Sequence, residues 1–205
     1  MRIVAIADTH GMHDEVRLPD GDMLIVAGDI CGHSQMREVG EFNRFLGNLD
    51  YKHKILVAGN HDWPFERFNA AARDMVTNAI YLQDEAVEIE GIKIYGSPWQ
   101  PEFLNWAFNL PRGLPLKHKW DMIPEDTEIL VTHGPPYERL DRVSIEPLGS
   151  EELKKAVERI KPKYHVFGHI HAGYGSVRGE HTVFINASVC TEAYEPINEP
   201  IVFDM

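Results

Sequence analysis

The sequence predicts an α/β fold, on two observations: short continuous apolar runs that read as strands covered on both faces, and stretches of helical periodicity set between them. The runs are IVAIA (3–7), MLIVAG (23–28), ILVAG (55–59), ILVT (129–132) and HVFG (165–168). A strand with one wet face alternates apolar and polar residues. These do not, so both faces are expected to be buried. AVEI (86–89), IKIYG (92–96), TVFINA (182–187) and IVFD (201–204) are shorter or alternating, and predict further strands that are antiparallel or nearer an edge.

Three helices are expected. SQMREVGEFNRFLGNL (34–49) puts Met36, Val39, Phe42, Phe45, Leu46 and Leu49 on one stripe, with Ser34 as the N-cap. PFERFNAAARDMV (64–76) has Pro64 near its start, where the missing N–H is no loss. SEELKKAVERI (150–160) sets its acids before its lysines, as the helix dipole favours. Residues 97–127 carry prolines at 98, 101, 111, 115 and 124 with aromatics between them, and read as a long ordered excursion. With no repeat, low-complexity tract or linker, residues 1–205 are expected to form one domain, long enough for a sizeable core.

Composition bounds the function. At 43% hydrophobic and 25% charged residues the chain is of the globular class. Its net charge of −12 argues against a protein that spreads basic residues along a nucleic-acid backbone, so long nucleic acid is not an expected partner. A small phosphate-bearing ligand stays possible, because a bound metal reverses the local field. Cys31 and Cys190 show no CxxC spacing and are expected to be reduced, buried thiols of a cytoplasmic protein. No apolar stretch approaches the roughly 18 residues of a membrane span, and no signal-peptide cleavage pattern follows the N-terminal run. Nothing in the sequence identifies a protein partner.

Polar residues gather where the central runs end. IVAIA leads into Asp8 and His10, MLIVAG into Asp29, ILVAG into Asn60, His61 and Asp62, ILVT into His133, and HVFG into His169 and His171. In open α/β sheets the carboxyl ends of the strands are where ligands bind. Gly28, Gly59 and Gly168 stand directly before three of these residues, which suits a sharp turn or a close backbone approach. An extended backbone through His169-Ile170-His171 would aim both imidazoles at one spot. Singly, each residue has an ordinary explanation: a helix cap, an Asx-turn, a hydrogen-bonded histidine. Together Asp8, His10, Asp29, Asn60, His133, His169 and His171 exceed the three or four ligands of one zinc site and suit two metals sharing a carboxylate. Mixed oxygen and nitrogen donors favour a borderline divalent ion, Mn²⁺ first, with Fe²⁺, Zn²⁺, Co²⁺ or Ni²⁺ as alternatives.

The motifs DTH (8–10), GDIC (28–31), GNHD (59–62), THGPP (132–136) and GHIH (168–171) follow one another over most of the chain. In that order they resemble the calcineurin-like metallophosphoesterase superfamily, whose pattern is D-x-H, G-D, G-N-H-[D/E], H and G-H-x-H. SPWQPEFLNWAFNLPRG (97–113), with THGPP and GHIHAGYG (168–175), is similar to the metallophosphoesterase-domain-containing branch. The resemblance implies a four-layer α/β/β/α sandwich of two mixed sheets flanked by helices, with a dinuclear metal centre. By position it implies a first metal held by Asp8, His10, Asp29 and His171, and a second held by Asp29 as the bridge with Asn60, His133 and His169. Some members of that branch lack the last histidine of G-H-x-H and are weak enzymes. This chain keeps both histidines, which implies a competent catalyst.

Two divalent ions in one site lower the pKa of a bridging water to give hydroxide, polarise the phosphoryl oxygens and hold the attack in line. His61 is the expected catalytic acid, stabilising the phosphoryl group or protonating the leaving alkoxide, and the resemblance assigns it the same part. Asp62 is expected to orient His61 and raise its pKa. Asn60 and His61 are the expected substrate contacts. Protein phosphatases of the superfamily carry arginines in their G-D-x-V-D-R-G and R-G-N-H-E motifs, but GDICGH and VAGNHD have none. A small phosphodiester, such as a 2′,3′- or 3′,5′-cyclic nucleotide, is therefore expected as substrate. Trp99, Phe103, Trp106, Phe108 and Arg112 in the excursion offer a surface for a base, or else pin that loop to the sandwich. The alternatives are a broad phosphomonoesterase on the same centre and a nucleotide-binding scaffold with little catalysis.

Overall fold

A computed structural model describes residues 1–205. The chain begins with β1 (Arg2–Ile6), β2 (Met23–Ala27), α1 (Met36–Gly47), β3 (His53–Val57), α2 (Trp63–Arg67), α3 (Asn69–Met75) and β4 (Ile80–Tyr81). It continues through β5 (Glu85–Ile89), β6 (Ile92–Ser97), the two-residue strands β7 (Gln100–Pro101) and β8 (Asn109–Leu110), and α4 (Leu114–Asp121). The remainder is β9 (Ile129–Thr132), the short pair β10 (Arg142–Val143) and β11 (Glu146–Pro147), α5 (Glu151–Ile160), β12 (Tyr164–Phe167), β13 (Gly175–Arg178), β14 (Val183–Asn186) and β15 (Ile201–Asp204).

Two mixed sheets carry the fold. The first runs β15-β1-β2-β3-β4, with β1 to β4 parallel and β15 antiparallel at the edge. The second runs β13-β14-β12-β9-β6-β5, parallel at its centre and closed by an antiparallel strand on each side. The continuous apolar runs are explained by what covers them. In the first sheet Ile3, Ala5, Ile25 and Ile55 face Ile94, Ile129, Val131, Val166 and Ile185 of the second. Their neighbours Val4, Ile6, Leu24 and Val26 face Val39, Phe42 and Leu46 of α1 and Phe65 of α2. On the far side Leu130 and Phe167 of the second sheet face Trp120 of α4 and Leu153 and Val157 of α5. This is the expected four-layer arrangement, with three apolar seams between the layers.

Several local expectations are corrected. Ser34 is not the cap of α1. Gln35 takes that position in a reciprocal pair with Glu38, and the Glu38 carboxylate also accepts the N–H groups of Gly32 and His33. Residues 64–76 form two helices rather than one. Phe68 leaves helical geometry between them, and Asn69 Nδ2 donates to the Phe65 carbonyl in place of a helical N–H. The 182–187 run does form a strand near an edge: β14 is second in its sheet, antiparallel to the edge strand β13 and parallel to β12 on its inner side. Ser150 does cap α5, its Oγ accepting from the Leu153 N–H at 3.1 Å. Cys31 and Cys190 are buried and unpaired, and no helix is long and apolar enough to cross a membrane.

Ile25 is fully enclosed in the seam between the sheets. Ile25→Ala is expected to lower the unfolding free energy by about 2–5 kcal/mol in urea denaturation. Ile145→Ala, at a side chain 83% exposed, should change it by no more than about 0.5 kcal/mol.

Candidate metal centre

The carboxyl ends of the two sheets meet, and the chain beyond each strand turns there in an unusual way. Asp8 (φ 57°), His10 (φ 45°), Asp29 (φ 54°) and His169 (φ 67°) all have left-handed backbones, uncommon for residues other than glycine. The sheets are tied together at this point: the Ala7 N–H donates to the Ala187 carbonyl at 2.8 Å, and the Val189 N–H to the Ala7 carbonyl at 2.9 Å. The glycines make the convergence possible. A Cβ on Gly28 would lie 2.4 Å from His133 Nδ1, one on Gly59 2.3 Å from Asp29 Oδ1, and one on Gly168 2.2 Å from Asp8 Oδ2. Each is the point where a neighbouring strand's polar side chain crosses the backbone.

The seven side chains singled out by sequence come to one place. Ligand-capable atoms of Asp8, His10 and His171 lie within 4.8 Å of one another, as do those of Asp8, Asp29 and His133. His10 Nε2 is 3.3 Å from His171 Nε2. His133 Nε2 is 2.7 Å from Asn60 Oδ1 and 3.4 Å from Asp29 Oδ2. The His169 ring stands 5.0 Å from the His133 ring, centroid to centroid. The two histidines of GHIH are separated by a turn rather than aligned on an extended strand: β12 ends at Phe167, His169 is left-handed, and His171 opens a 3-10 turn. His171 therefore joins Asp8 and His10, while His169 lies beside His133.

Charge and tautomer both favour cation binding. Asp8 is fully buried and Asp29 2% exposed, and the basic groups in salt-bridge range of either are all histidines. Burial opposes ionisation of both carboxyls, but His171 and His133 beside Asp8, and His133 and His10 beside Asp29, hold them below the usual carboxylate range. Burial would also depress His133, yet the Asp29 and Asp8 charges raise it to about 9. Burial, with the neighbouring His133 charge, takes His169 down to about 3, so that ring is neutral. His133 Nδ1–H donates to the Ala27 carbonyl and His171 Nδ1–H to the Thr191 carbonyl, each at 2.9 Å, which turns both Nε2 atoms toward the centre. His133 then presents Nε2 to an amide oxygen and a carboxylate: it needs a second proton there, or a metal ion shared by all three. The mixed carboxylate, amide-oxygen and imidazole donor set fits divalent cations.

His61 lies at the rim of this cluster. Its ring is 4.8 Å from that of His10, and its Nδ1 or Nε2 falls in a third group with His10 and Asp29. Its N–H donates to Asp29 Oδ1 at 2.8 Å, and its carbonyl accepts from Ser34 Oγ at 2.7 Å. Ser34 thus anchors this loop, and its left-handed φ of 57° explains why it cannot cap the helix. Asp62 does not orient His61. Its carboxylate is fully buried and accepts the N–H groups of Gly59, Cys31 and Ile30 at 2.8, 2.9 and 3.3 Å, stapling the Asp29 and Asn60 loops to each other. Burial, then the neighbouring Asp29 charge, push its pKa up to about 7.

The aromatic excursion divides in two. Trp99 and Phe108 pin it: their rings meet at 5.4 Å, Trp99 Nε1 donates to Asp84, and Phe108 is fully buried. The Ala107 N–H also donates to the Asn60 carbonyl, tying the excursion to a candidate ligand. Phe103, Trp106 and Arg112 instead border a cavity of about 370 Å³ that reaches His169. Trp106 stands 5.4 Å from the His61 ring and 6.3 Å from the His169 ring. The Arg112 guanidinium is bound to the Leu148 and Gly149 carbonyls at 2.8 Å. Two participants carried no signal in the sequence. Asn186 bonds the Ile170 carbonyl and so shapes the GHIH turn, and Tyr194 lays its ring against His10 and His171.

A family model for calcineurin-like phosphoesterases matches residues 1–173. Human metallophosphoesterase domain-containing protein 1 is 44% identical over 230 residues, spanning 100% of this chain and 71% of that protein. The crystal structure of TT1561 of Thermus thermophilus superposes with a TM-score of 0.63 at 16% identity, over 90% of this chain and 88% of that one. A structure described as a novel archaeal phosphodiesterase superposes with a TM-score of 0.53 at 17% identity, over 99% and 100% of the two chains. These two likenesses are of fold.

The state of His133 gives a measurable pH dependence. In metal-free protein its raised pKa stabilises the fold fully below about 6.5, and that contribution is lost as pH rises through about 9. The urea midpoint of the metal-free protein is expected to fall over that window, with a smaller slope in His133→Asn. Metal loading at pH 7 should release a proton, seen as a calorimetric heat that changes with the buffer's ionisation enthalpy.

Proposed function

The chain belongs to the calcineurin-like phosphoesterase family, a family of metal-dependent phosphoester hydrolases, and from that premise we propose that it is a dinuclear phosphodiesterase acting on small nucleotide-like phosphodiesters, cyclic nucleotides first among them. The observation that carries this reading is the charge composition of the site: two buried carboxylates are met by imidazoles, with no lysine or arginine in salt-bridge range of either. Asp8, His10, Asp29 and His171 would hold one ion, and Asp29, Asn60, His133 and His169 the other, with Mn²⁺ the first candidate. Bound there, the ions supply neutralisation of the phosphoryl charge and an activated water.

The chain's own residues do the rest. His61 faces the donor cluster on a loop held at both its N–H and its carbonyl, a rigid mount for donating a proton to the leaving oxygen. Asn60 and His61 would be the side chains that contact an incoming phosphoryl group. Asp62 keeps the Asp29 and Asn60 loops at fixed separation from behind. The diester preference rests on the absence of a free guanidinium to grip a monoester dianion, since Arg112 is bound to two carbonyls. The cavity beside His169, walled by Phe103 and Trp106, suits a flat ester group such as a base. The fold likeness to an archaeal phosphodiesterase is in keeping with the same reading.

The test is hydrolysis of an aryl phosphodiester and the matching monoester by metal-stripped protein reloaded with Mn²⁺. Diester turnover is expected to require metal, to disappear in Asp29→Ala and to drop about 10²–10⁴-fold in kcat/KM in His61→Ala. Faster monoester turnover would replace the diesterase with a phosphatase. Two bound metals without hydrolysis of either substrate would reduce the protein to a binding scaffold.

A further inference from the structure

The donor histidines are not all fixed in the same way. His133 and His171 each donate Nδ1–H to a backbone carbonyl, which sets ring orientation and tautomer together. The one hydrogen-bonding contact of the His10 ring is with His171 Nε2, at the very atom that would face a cation. Ring packing has to orient it instead. His61 meets it edge-on at 4.8 Å from one side, and Tyr194 at 4.8 Å and 64° from another. Tyr194 also meets the His171 ring at 5.3 Å and 74°. One phenol ring thus touches both imidazoles whose Nε2 atoms lie 3.3 Å apart.

The backbone is held in a costly conformation to put that ring there. Tyr194 has φ 60°, a region unfavourable for a residue with a Cβ and one that asparagine or glycine enters more easily. The side chain gains little burial in return, since the residue stays 48% exposed. The loop around it is firmly tied. The Tyr194 N–H donates to the Thr191 carbonyl, the Thr191 N–H to the Glu195 carbonyl, and the Asn198 N–H to the Val189 carbonyl. The Thr191 carbonyl also accepts from His171 Nδ1, so one short loop supplies both the ring and the carbonyl that orient this half of the site.

We propose that Tyr194 is a positioning residue for His10 and His171, its ring acting through them to set the affinity of the metal they would share, leaving the half built on Asn60, His133 and His169 untouched. This rests on the two-metal reading above, and the two can fail separately. The measurement is Mn²⁺ binding to metal-stripped protein, by electron paramagnetic resonance and calorimetry, for wild type, Tyr194→Asn and Tyr194→Phe. Wild type is expected to take two ions. Tyr194→Asn fits the left-handed backbone without the ring. Its metal-free melting temperature should be no lower than that of wild type, while one of its two sites weakens about 10–100-fold. Tyr194→Phe keeps the ring and should restore that site to within about threefold. Two unchanged sites in Tyr194→Asn would overturn the proposal and leave the dinuclear reading standing, as would a Tyr194→Phe variant as weak as Tyr194→Asn. A wild type that takes fewer than two ions would overturn both.

Discussion

Asp8 and Asp29 are buried carboxylates without a lysine or arginine partner, and the surrounding structure is organised around that fact. An unpaired buried anion costs several kcal/mol, so its charge must be met by hydrogen bonds, imidazolium or a cation. The first two means are visible. Asp8 accepts the His169 N–H at both oxygens, Asp29 accepts the His61 N–H, and His133 is driven to hold an extra proton. Each of these is a makeshift for positive charge at one point. A donor set arranged in this way suits divalent ions, because they would complete its electrostatics.

The fold brings the two sheets' ends together at this edge. Apolar seams set the sheets face to face, but seams are non-directional and tolerate sliding. The register is fixed by the hydrogen bonds between Ala7 and the segment 187–189, and by glycines at which no other residue would let the strands' polar side chains pass. The left-handed turns at Asp8, Asp29 and His169 then bend the chain back so that each donor points inward. Backbone strain of this kind is concentrated where the chemistry is, and the well-packed core holds it in place.

Around the donor cluster, the walls of the site come from parts of the chain with little secondary structure. The excursion holds itself by Trp99 and Phe108 and offers Phe103 and Trp106, so pinning and exposing are shared between different aromatics of one segment. On the other flank the loop before β15 brings Tyr194 against His10 and His171. Asp62 works from beneath, where it staples two loops that arrive from different strands.

What the sequence determined alone is whatever depends on a short stretch of chain. The continuous runs announced strands buried on both faces, and the polar residue after each run announced a site at the strand ends, because strand burial and strand-end position are local properties. The ordered motifs from DTH to GHIH carried the ligand candidates and the family. What only the tertiary structure decided is whatever depends on which distant segments touch. Asp62 looked like His61's partner because it is adjacent in sequence, yet its carboxylate meets N–H groups from two loops. Ser34 looked like a cap but binds the carbonyl of His61, 27 residues away. Tyr194 and Asn186 stand in no motif, since an aromatic or an amide acquires its role here through a contact across the fold, and a one-dimensional pattern has no access to contacts of that kind.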